Sequence, residues 1–256
     1  MNILVCMKAV PSTASVQVDG QFKLQRDGVN LQWNVADESA LEAALQLKGP
    51  EGCVTVLTMG PGKLEDTLKD LLARSADRAV LLTDPVMAGA DTLATAKAIA
   101  AAATHLGGFD LILCGRRAID GETGQVPGMI AADLAIPCIT NAESISVADK
   151  LCIRRRLENG TQVLETSTPV CISLCEYTYT LRLPGIMSMR RAREKSVLRL
   201  CAQDIALSPD QCGLKGSSTK VIAMDNKFPG LRKGPMETDI ANGVCAILSA
   251  VKEVQV

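Results

Sequence analysis

The chain has 256 residues, of which 47% are hydrophobic, 21% charged and 2% aromatic, with 27 basic against 28 acidic side chains. This length and apolar content suit one substantial core with extensions. Balanced charge and scarce aromatic residues provide neither an electrostatic field nor stacking platforms for nucleic acid. No apolar run approaches the ~20 residues of a membrane span, and no basic and apolar leader precedes the first strand. We therefore expect a cytoplasmic protein without nucleic-acid or membrane partners.

The ten cysteines are dispersed in apolar runs, which is typical of reduced core residues rather than of a disulfide framework. Cys171 and Cys175 form the one close pair, and an offset of four in a strand would place both side chains on one face. A metal or redox role for this pair lacks a CxxC or Cys/His set. The lone His105 excludes a multi-histidine metal site. Its position favours capping a helix end over acting as a general base.

Short apolar runs alternate with helical patterns through the first half of the chain, which predicts an α/β fold with a doubly wound, mostly parallel sheet. The predicted strands span residues 3–7, 54–59, 79–82, 111–114 and 137–141. The predicted helices span residues 37–48, 64–75, 91–105 and 125–134, with Asp37 and Asp91 as N-caps. Turn signals within residues 16–31 predict a hairpin-like insertion.

After residue 145 the pattern changes to alternating strands, with a hairpin turn at Asn159-Gly160 and a further apolar strand at residues 170–174. Beyond Pro184 the chain becomes basic, then loop-rich to Gly234, and it ends in an amphipathic helix over residues 238–251. We predict a Rossmann-like nucleotide-binding domain over residues 1–183. Residues 184–256 are predicted to form a docking loop and an extension that wraps a partner.

In a doubly wound sheet, ligands bind beyond the carboxyl ends of the strands. The loops at that edge are residues 8–11, 34–37, 59–63 and 115–126. The last of these has three glycines together with Thr123 and Gln125 before a helix, which suits a phosphate-binding loop, although an ordinary capped loop has the same pattern. Asp120 in this loop is expected to brace the turn.

Enzyme signatures are missing from the sequence. No GxGxxG follows the first strand and no GxxxxGK[ST] occurs, so neither an NAD-binding Rossmann fingerprint nor a P-loop is present. No catalytic triad is recognisable either. No enzyme site is therefore evident from the residues alone.

A series of ordered motifs resembles the beta subunit of electron-transfer flavoproteins over nearly the whole chain. These are ILVCMKAVP at residues 3–11, Asn34, ALEAALQLK at 40–48, VTVLTMGP at 54–61, GADTLATA at 89–96, LILCGRRAIDGETGQV at 111–126 and LPGIM at 183–187. The resemblance implies a heterodimer with an alpha subunit that carries FAD. It also implies that the beta subunit binds AMP in the housekeeping type, or a second FAD in the type that bifurcates electrons from NADH.

The resemblance also implies site residues. The cofactor contacts would be Cys6, Lys8, Ala9, Asn34, Val35, Ala36, Asp37, Met59, Gly115, Arg116, Arg117, Ala118, Ile119, Asp120, Gly121, Glu122, Thr123, Gly124, Gln125 and Val126. The NADH-proximal segment would be Gly89, Ala90, Asp91 and Thr92, which otherwise is simply a helix N-terminus. Leu183 occupies the position of a leucine that docks into a dehydrogenase, the alternative being a loop residue folded back on its own core.

The phosphate turn favours FAD over AMP, because this chain has Gly124-Gln125-Val126 where the AMP type has Asn-Gln-Thr. Arg116 or Arg117 would then stabilise anionic flavin or pyrophosphate, unless both are solvated surface charges. The resemblance implies a dehydrogenase, NADH, and ferredoxin or flavodoxin as partners. Residues 176–182 depart from the family's Asn-x-Pro-Arg run, which leaves the dehydrogenase open. The alternatives are an AMP-binding, non-bifurcating beta subunit, a universal-stress-like regulator, and a nucleotide-dependent ligase or hydrolase.

Overall fold

The computed structural model describes residues 1–12, 31–220 and 239–254. Residues 1–220 form one compact unit, and residues 221–256 form a second. The predicted hairpin over residues 16–31 lies outside the described residues, apart from its last residue.

Eleven strands and seven helices are present in the described ranges. The strands are β1 (Asn2–Cys6), β2 (Ala9–Pro11), β3 (Leu31–Trp33), β4 (Cys53–Met59), β5 (Arg78–Leu82), β6 (Leu111–Gly115), β7 (Cys138–Val147), β8 (Leu151–Leu157), β9 (Gly160–Thr166), β10 (Val170–Leu174) and β11 (Leu198–Leu200). The helices are α1 (Val35–Leu47), α2 (Glu65–Ala73), α3 (Thr92–His105), α4 (Val126–Asp133), α5 (Ile186–Glu194), α6 (Gly213–Gly216) and α7 (Ile240–Val254).

Nine strands form one sheet in the order β11-β5-β4-β1-β6-β10-β7-β8-β9. The strands from β11 to β7 pair in parallel, and β8 and β9 add two antiparallel strands at one edge. The apolar runs form central strands because they are buried on both faces. The predicted α/β, doubly wound sheet is confirmed.

The side chains of each central strand divide between two core layers. On β1, Ile3 and Val5 belong to the layer that includes residues of α1 and α2. Leu4 and Cys6 point to the other face and belong to the layer that includes residues of α3 and α4. This division follows the two-residue period of a strand. Because the strands from β11 to β7 run in parallel, their carboxyl ends lie at one edge of the sheet. The loops that leave this edge lie side by side.

Strand β10 enters the sheet between β6 and β7, although β7, β8 and β9 separate it from β6 in the sequence. The β7–β8–β9 segment therefore extends one edge of the sheet, and β10 then returns to the interior of the sheet between β6 and β7. This order places Ser173 on β10 next to Cys114 on β6, and near Asn141 on β7.

Two segments differ from the sequence-based expectation. Helix α1 has Asn34, not Asp37, at its N-cap, because the Asp37 carboxyl group bonds elsewhere. The stretch predicted to be loop-rich contains α5 and β11, and β11 pairs in parallel with β5. Only Ala192 of α5 is buried, so this helix lacks the apolar stripe by which amphipathic helices are recognised.

Helix α7 exposes Val244, Ile247 and Leu248 at a spacing of three and four residues. Residues so spaced share one face of a helix. None of the helices in the described part of the chain is long and apolar enough to cross a bilayer.

Candidate functional site

A buried carboxyl group joins three segments at the carboxyl edge of the sheet. Asp37, in the first turn of α1, accepts hydrogen bonds from the backbone N–H of Lys8 at 2.8 Å and of Gly115 at 2.9 Å. Burial raises the pKa of Asp37 to about 7, against the lowering effect of these hydrogen bonds and that of Asn34. Asp37 thereby fixes the residues that follow β1 and those that end β6 at one point.

Asn34 adds a second set of bonds between the same segments. It is fully buried, and its backbone N–H donates to the Lys8 carbonyl at 2.9 Å. Its side-chain amide donates to the Arg117 carbonyl at 3.0 Å and accepts from the Ile119 N–H at 3.2 Å. This explains why its side chain does not cap α1. Asn34 and Asp37 together hold the start of the β6–α4 loop against α1.

The close approach of these segments requires glycine at position 115. A Cβ atom there would collide with the Asp37 carboxyl oxygen and would lie 2.7 Å from the Ala36 Cβ. Further along the loop, Gly124 has φ +63° and Glu122 has φ +49°, which are left-handed conformations. The loop thus turns sharply before the first residue of α4, Val126.

The segment of residues 89–92 adjoins this loop. The Asp91 side chain caps α3 by accepting from the Ala94 N–H at 3.0 Å, which confirms the predicted cap. The Thr92 hydroxyl donates to the Gln125 side-chain oxygen at 2.8 Å. Two stretches that the sequence analysis singled out are therefore in direct contact. Met59 ends β4 at the same edge.

Every basic side chain of the site has an acidic partner. Lys8 pairs with Asp120 at 2.7 Å, and Arg116 pairs with Glu176 at 2.7 Å. Arg117 lies 3.3 Å from Glu176. Burial alone would raise the pKa of Glu176, but hydrogen bonds from Arg116 and Arg117 lower it. The two arginines are consequently held in place by a carboxylate rather than being freely solvated.

A cavity of about 240 Å³ opens beside this cluster, lined by Arg116, Arg117, Gly124, Thr140, Asn141 and Ser173. The last three were missed by the sequence analysis, because they reach the site only through the insertion of β10 between β6 and β7. Ser173 is a buried hydroxyl in an otherwise apolar strand, and it accepts from the Asn141 N–H at 3.3 Å. The polar residue Ser173 inside the apolar run VCISL was the one feature of the sequence that pointed to this part of the site.

Two other features lie away from this edge. His105 ends α3, at the opposite end of the helix from Thr92. A cavity of about 420 Å³ is lined by Asn2, residues 107–110, Thr168 and Pro169, at the amino ends of the strands. Ligands of parallel α/β sheets bind at the carboxyl ends. The smaller cavity, whose lining carries the two arginines, is therefore the candidate site.

The Leu183 loop is anchored to α1. The Arg182 guanidinium donates to both oxygens of the buried Glu42 carboxylate, at 2.9 and 2.8 Å. The Ser39 hydroxyl donates to the Tyr179 carbonyl at 3.3 Å. Leu183 itself is 84% exposed and does not fold back on the core. Ile186 and Met187 of α5, which follow Leu183 closely in the sequence, are also exposed.

The lining of the cavity supplies donors for an anion. Arg116, Arg117 and Gly124 line it near the start of α4, and guanidinium groups and backbone amides near a helix N-terminus are groups that bind phosphate. Among the described residues, no group of three His, Cys, Asp or Glu side chains is arranged to hold a metal ion. The two guanidinium groups make the site suited to an anionic ligand.

Comparison with known proteins identifies the family. Residues 21–197 match the family described as Electron transfer flavoprotein domain. The electron transfer flavoprotein subunit beta of Thermoanaerobacterium thermosaccharolyticum is 43% identical over 87% of both chains, and that of Clostridium acetobutylicum is 40% identical over 99% of this chain and 98% of its own. The caffeyl-CoA reductase-Etf complex subunit CarD of Acetobacterium woodii is 40% identical over 87% of this chain and 86% of its own. The chain therefore belongs to the electron transfer flavoprotein beta-subunit family.

Proposed function

We propose that this chain is the beta subunit of a heterodimeric electron-transfer flavoprotein and that it binds FAD at the cleft described above. Its alpha subunit would carry a second FAD. Family membership favours this function over a universal-stress-type regulator and over a nucleotide-dependent ligase or hydrolase. The subunit passes electrons between a donor and an acceptor and contributes no bond-making side chain.

The observation that carries the proposal is the junction made by Asn34 and Asp37. Their hydrogen bonds hold the Lys8 segment and the β6–α4 loop as one rigid wall. A preformed wall lowers the entropy lost when a ligand is bound. Lys8 and the amides of the loop would hold the phosphates, and Arg116 and Arg117 would face the anionic parts of the cofactor. A bound flavin supplies the redox chemistry, whereas the protein positions it and tunes its electronics.

The size of the cavity supports a shared site. About 240 Å³ is smaller than the roughly 300–1,000 Å³ of a complete small-molecule pocket. A dinucleotide would extend beyond it and would need cover from a second chain. The exposed apolar face of α7, Val244, Ile247 and Leu248, suits a helix that packs on that chain. We therefore propose that α7 packs on the alpha subunit, as part of the docking region predicted for residues 184–256.

Two loop features favour FAD and electron bifurcation over AMP. The phosphate turn has Gly124-Gln125-Val126, and the segment of residues 89–92 contacts Gln125 through Thr92. NADH bound near residues 89–92 would then donate to a flavin in the adjoining cleft. Ferredoxin or flavodoxin would be one acceptor. The subunit name of the Acetobacterium woodii relative joins an Etf to a reductase, and we assign the exposed Leu183 to docking of a dehydrogenase or reductase.

The test is to purify the chain with its alpha subunit, denature the complex, and quantify the released flavin and AMP by chromatography. Two FAD per heterodimer are expected. One FAD plus one AMP would leave the family function intact but reject both the second flavin and bifurcation. A stable homodimer without flavin would refute the proposed function.

Matched variants locate the cofactor. Asn34→Ala removes the bonds to Arg117 and Ile119, so it is expected to lower the nucleotide content of the beta subunit severalfold while the flavin of the alpha subunit is retained. Asn2→Ala is the control, because the Asn2 side chain makes a similar amide bond, to Gly108 at 3.2 Å, at the opposite edge of the sheet. Equal occupancy in both variants would contradict the assigned site.

A further inference from the structure

Four cysteines form a row across adjacent strands of the sheet, with a step of two residues between β6 and β10. Cys6 is the last residue of β1, and Cys114 is the last residue but one of β6. On β10, Ser173 pairs with Cys114, and Cys171 lies two residues earlier as the register partner of Cys138 on β7. Cys6, Cys114 and Cys171 all belong to the same core layer. The row thus crosses four neighbouring strands.

The row runs from the core to the surface. Cys6, Cys114 and Cys171 are buried, whereas Cys138 is exposed. Cys175, which the sequence suggested as a partner of Cys171, instead follows the end of β10, and its backbone N–H donates to the Ala142 carbonyl at 2.9 Å. The pair to consider is therefore Cys138 and Cys171.

We propose that Cys138 and Cys171 form an oxidant-sensitive dithiol, in which Cys138 is the sulfur that a small peroxide reaches and Cys171 resolves it into a disulfide. Neither residue lines the cavity beside Arg116 and Arg117. The pair does not depend on the identity of the cofactor.

The backbone geometry permits the bond. Cys171 and Cys138 are register partners on adjacent parallel strands. Neighbouring strands lie about 4.7–4.9 Å apart, within the roughly 4.4–6.8 Å between Cα atoms that disulfides span. A disulfide here would link the first residue of β7 to β10, and so would close the chain segment that contains β7, β8 and β9 into a covalent loop.

Exposure assigns the roles of the two sulfurs. Cys138 is exposed and Cys171 is buried, so a small peroxide in solution reaches Cys138 first. The Cys171 thiol donates a hydrogen bond to the Pro127 carbonyl at 3.5 Å, which holds it in the core. Cys171 is therefore the sulfur that closes the bond, and it attacks as the thiolate after it has lost this proton.

The chemistry balances in two steps. Cys138–SH and hydrogen peroxide give Cys138–SOH and water. The Cys171 thiol then loses its proton and attacks the Cys138 sulfur, the S–O bond breaks, and the departing hydroxide combines with that proton to form a second water. Two thiols are oxidised by two electrons in total, and one peroxide is reduced.

The experiment treats the full-length chain with hydrogen peroxide in a Cys245→Ser background, which removes the other exposed cysteine. After alkylation of the remaining thiols, trypsin digestion without reductant releases residues 118–150, containing Cys138, and residues 157–182, containing Cys171 and Cys175. We expect a cross-linked peptide with the summed mass less two hydrogens. Its formation should persist in Cys175→Ala and disappear in Cys138→Ser.

Three results would overturn the proposal. The first is Cys138 oxidised to sulfinic acid while Cys171 is recovered as an alkylated thiol. The second is a cross-link that is lost in Cys175→Ala. The third is recovery of all thiols at peroxide concentrations that oxidise Cys245 in the unmodified chain.

Discussion

The ion pair between Glu42 and Arg182 offers a sharp test of how the exposed Leu183 loop is held. Glu42 is 7% exposed and receives three hydrogen bonds from Arg182: two from the guanidinium and one, at 3.1 Å, from the backbone N–H. Arg182→Met keeps the length of the side chain but removes its charge and donors. Glu42 is then left with the side chain of Gln46 and one backbone N–H as donors.

The loss of stability expected for Arg182→Met follows from the burial of the ion pair. Breaking a fully buried pair by removing one partner destabilises by about 3–5 kcal/mol. The Arg182 side chain is 41% exposed, so water replaces part of the lost interaction, and we expect about 2–3 kcal/mol. For a chain of this size that corresponds to a fall in Tm of about 5–10 °C. Urea unfolding of wild type, Arg182→Met, Glu42→Leu and the double variant measures the coupling between the two residues.

The double variant is expected to recover most of the loss, because it no longer buries an unpaired charge. Arg199→Met is the control, since the Arg199–Glu65 pair is more exposed and should contribute less than about 1 kcal/mol. Burial would raise the pKa of Glu42, but hydrogen bonds from Arg182 lower it below its ordinary value. The contribution of the pair is therefore present above the pKa of an unfolded Glu and is lost as pH falls. Strict additivity of the two single variants would refute this reasoning.

The remaining predictions concern the cleft and the docking loop. The pKa of Asp37 is raised from 3.8 to about 7 in the folded chain. The stability that Asp37 contributes is therefore present at low pH and is lost as pH rises towards 7. Urea midpoints measured between pH 5 and 8 should fall with rising pH in wild type and should not show this fall in Asp37→Asn. Gly115→Ala should lose about 1–3 kcal/mol and its nucleotide through the collision with Asp37 and Ala36, whereas Gly121→Ala, with open space around its Cβ, should unfold like wild type. Leu183→Ser should leave the urea midpoint unchanged but weaken binding to the redox partner in a titration, and unaltered affinity would exclude Leu183 from docking.

The sequence predicted the alternation of strands and helices because local periodicity determines it. It could not predict the position of β10, since strand order depends on long-range packing, and Thr140, Asn141 and Ser173 were missed for that reason. Asp37 is a residue type that commonly caps helices. Its carboxyl oxygens instead accept hydrogen bonds from the N–H groups of Lys8 and Gly115, which are both distant in sequence. A local pattern does not contain such partners.

The Leu183 region also depends on a contact between residues that are distant in sequence. Residues 176–182 lack the Asn-x-Pro-Arg run of the family, which left the identity of the dehydrogenase open. In the structure Arg182 anchors the Leu183 loop, and its partner Glu42 lies 140 residues earlier. An arginine at a different position of the loop therefore provides an anchor that comparison of motifs does not reveal.

Helix α1 supports two separate parts of the molecule, the loops of the cleft and the Leu183 loop. Its first turn fastens the loops of the cleft through Asp37, and little more than one turn later Glu42 holds the base of the Leu183 loop. A rigid body that supports both places transmits any tilt of its axis to each of them. Replacements inside α1 should consequently alter nucleotide retention and redox-partner recognition in the same variant, whereas replacements confined to either loop should separate the two.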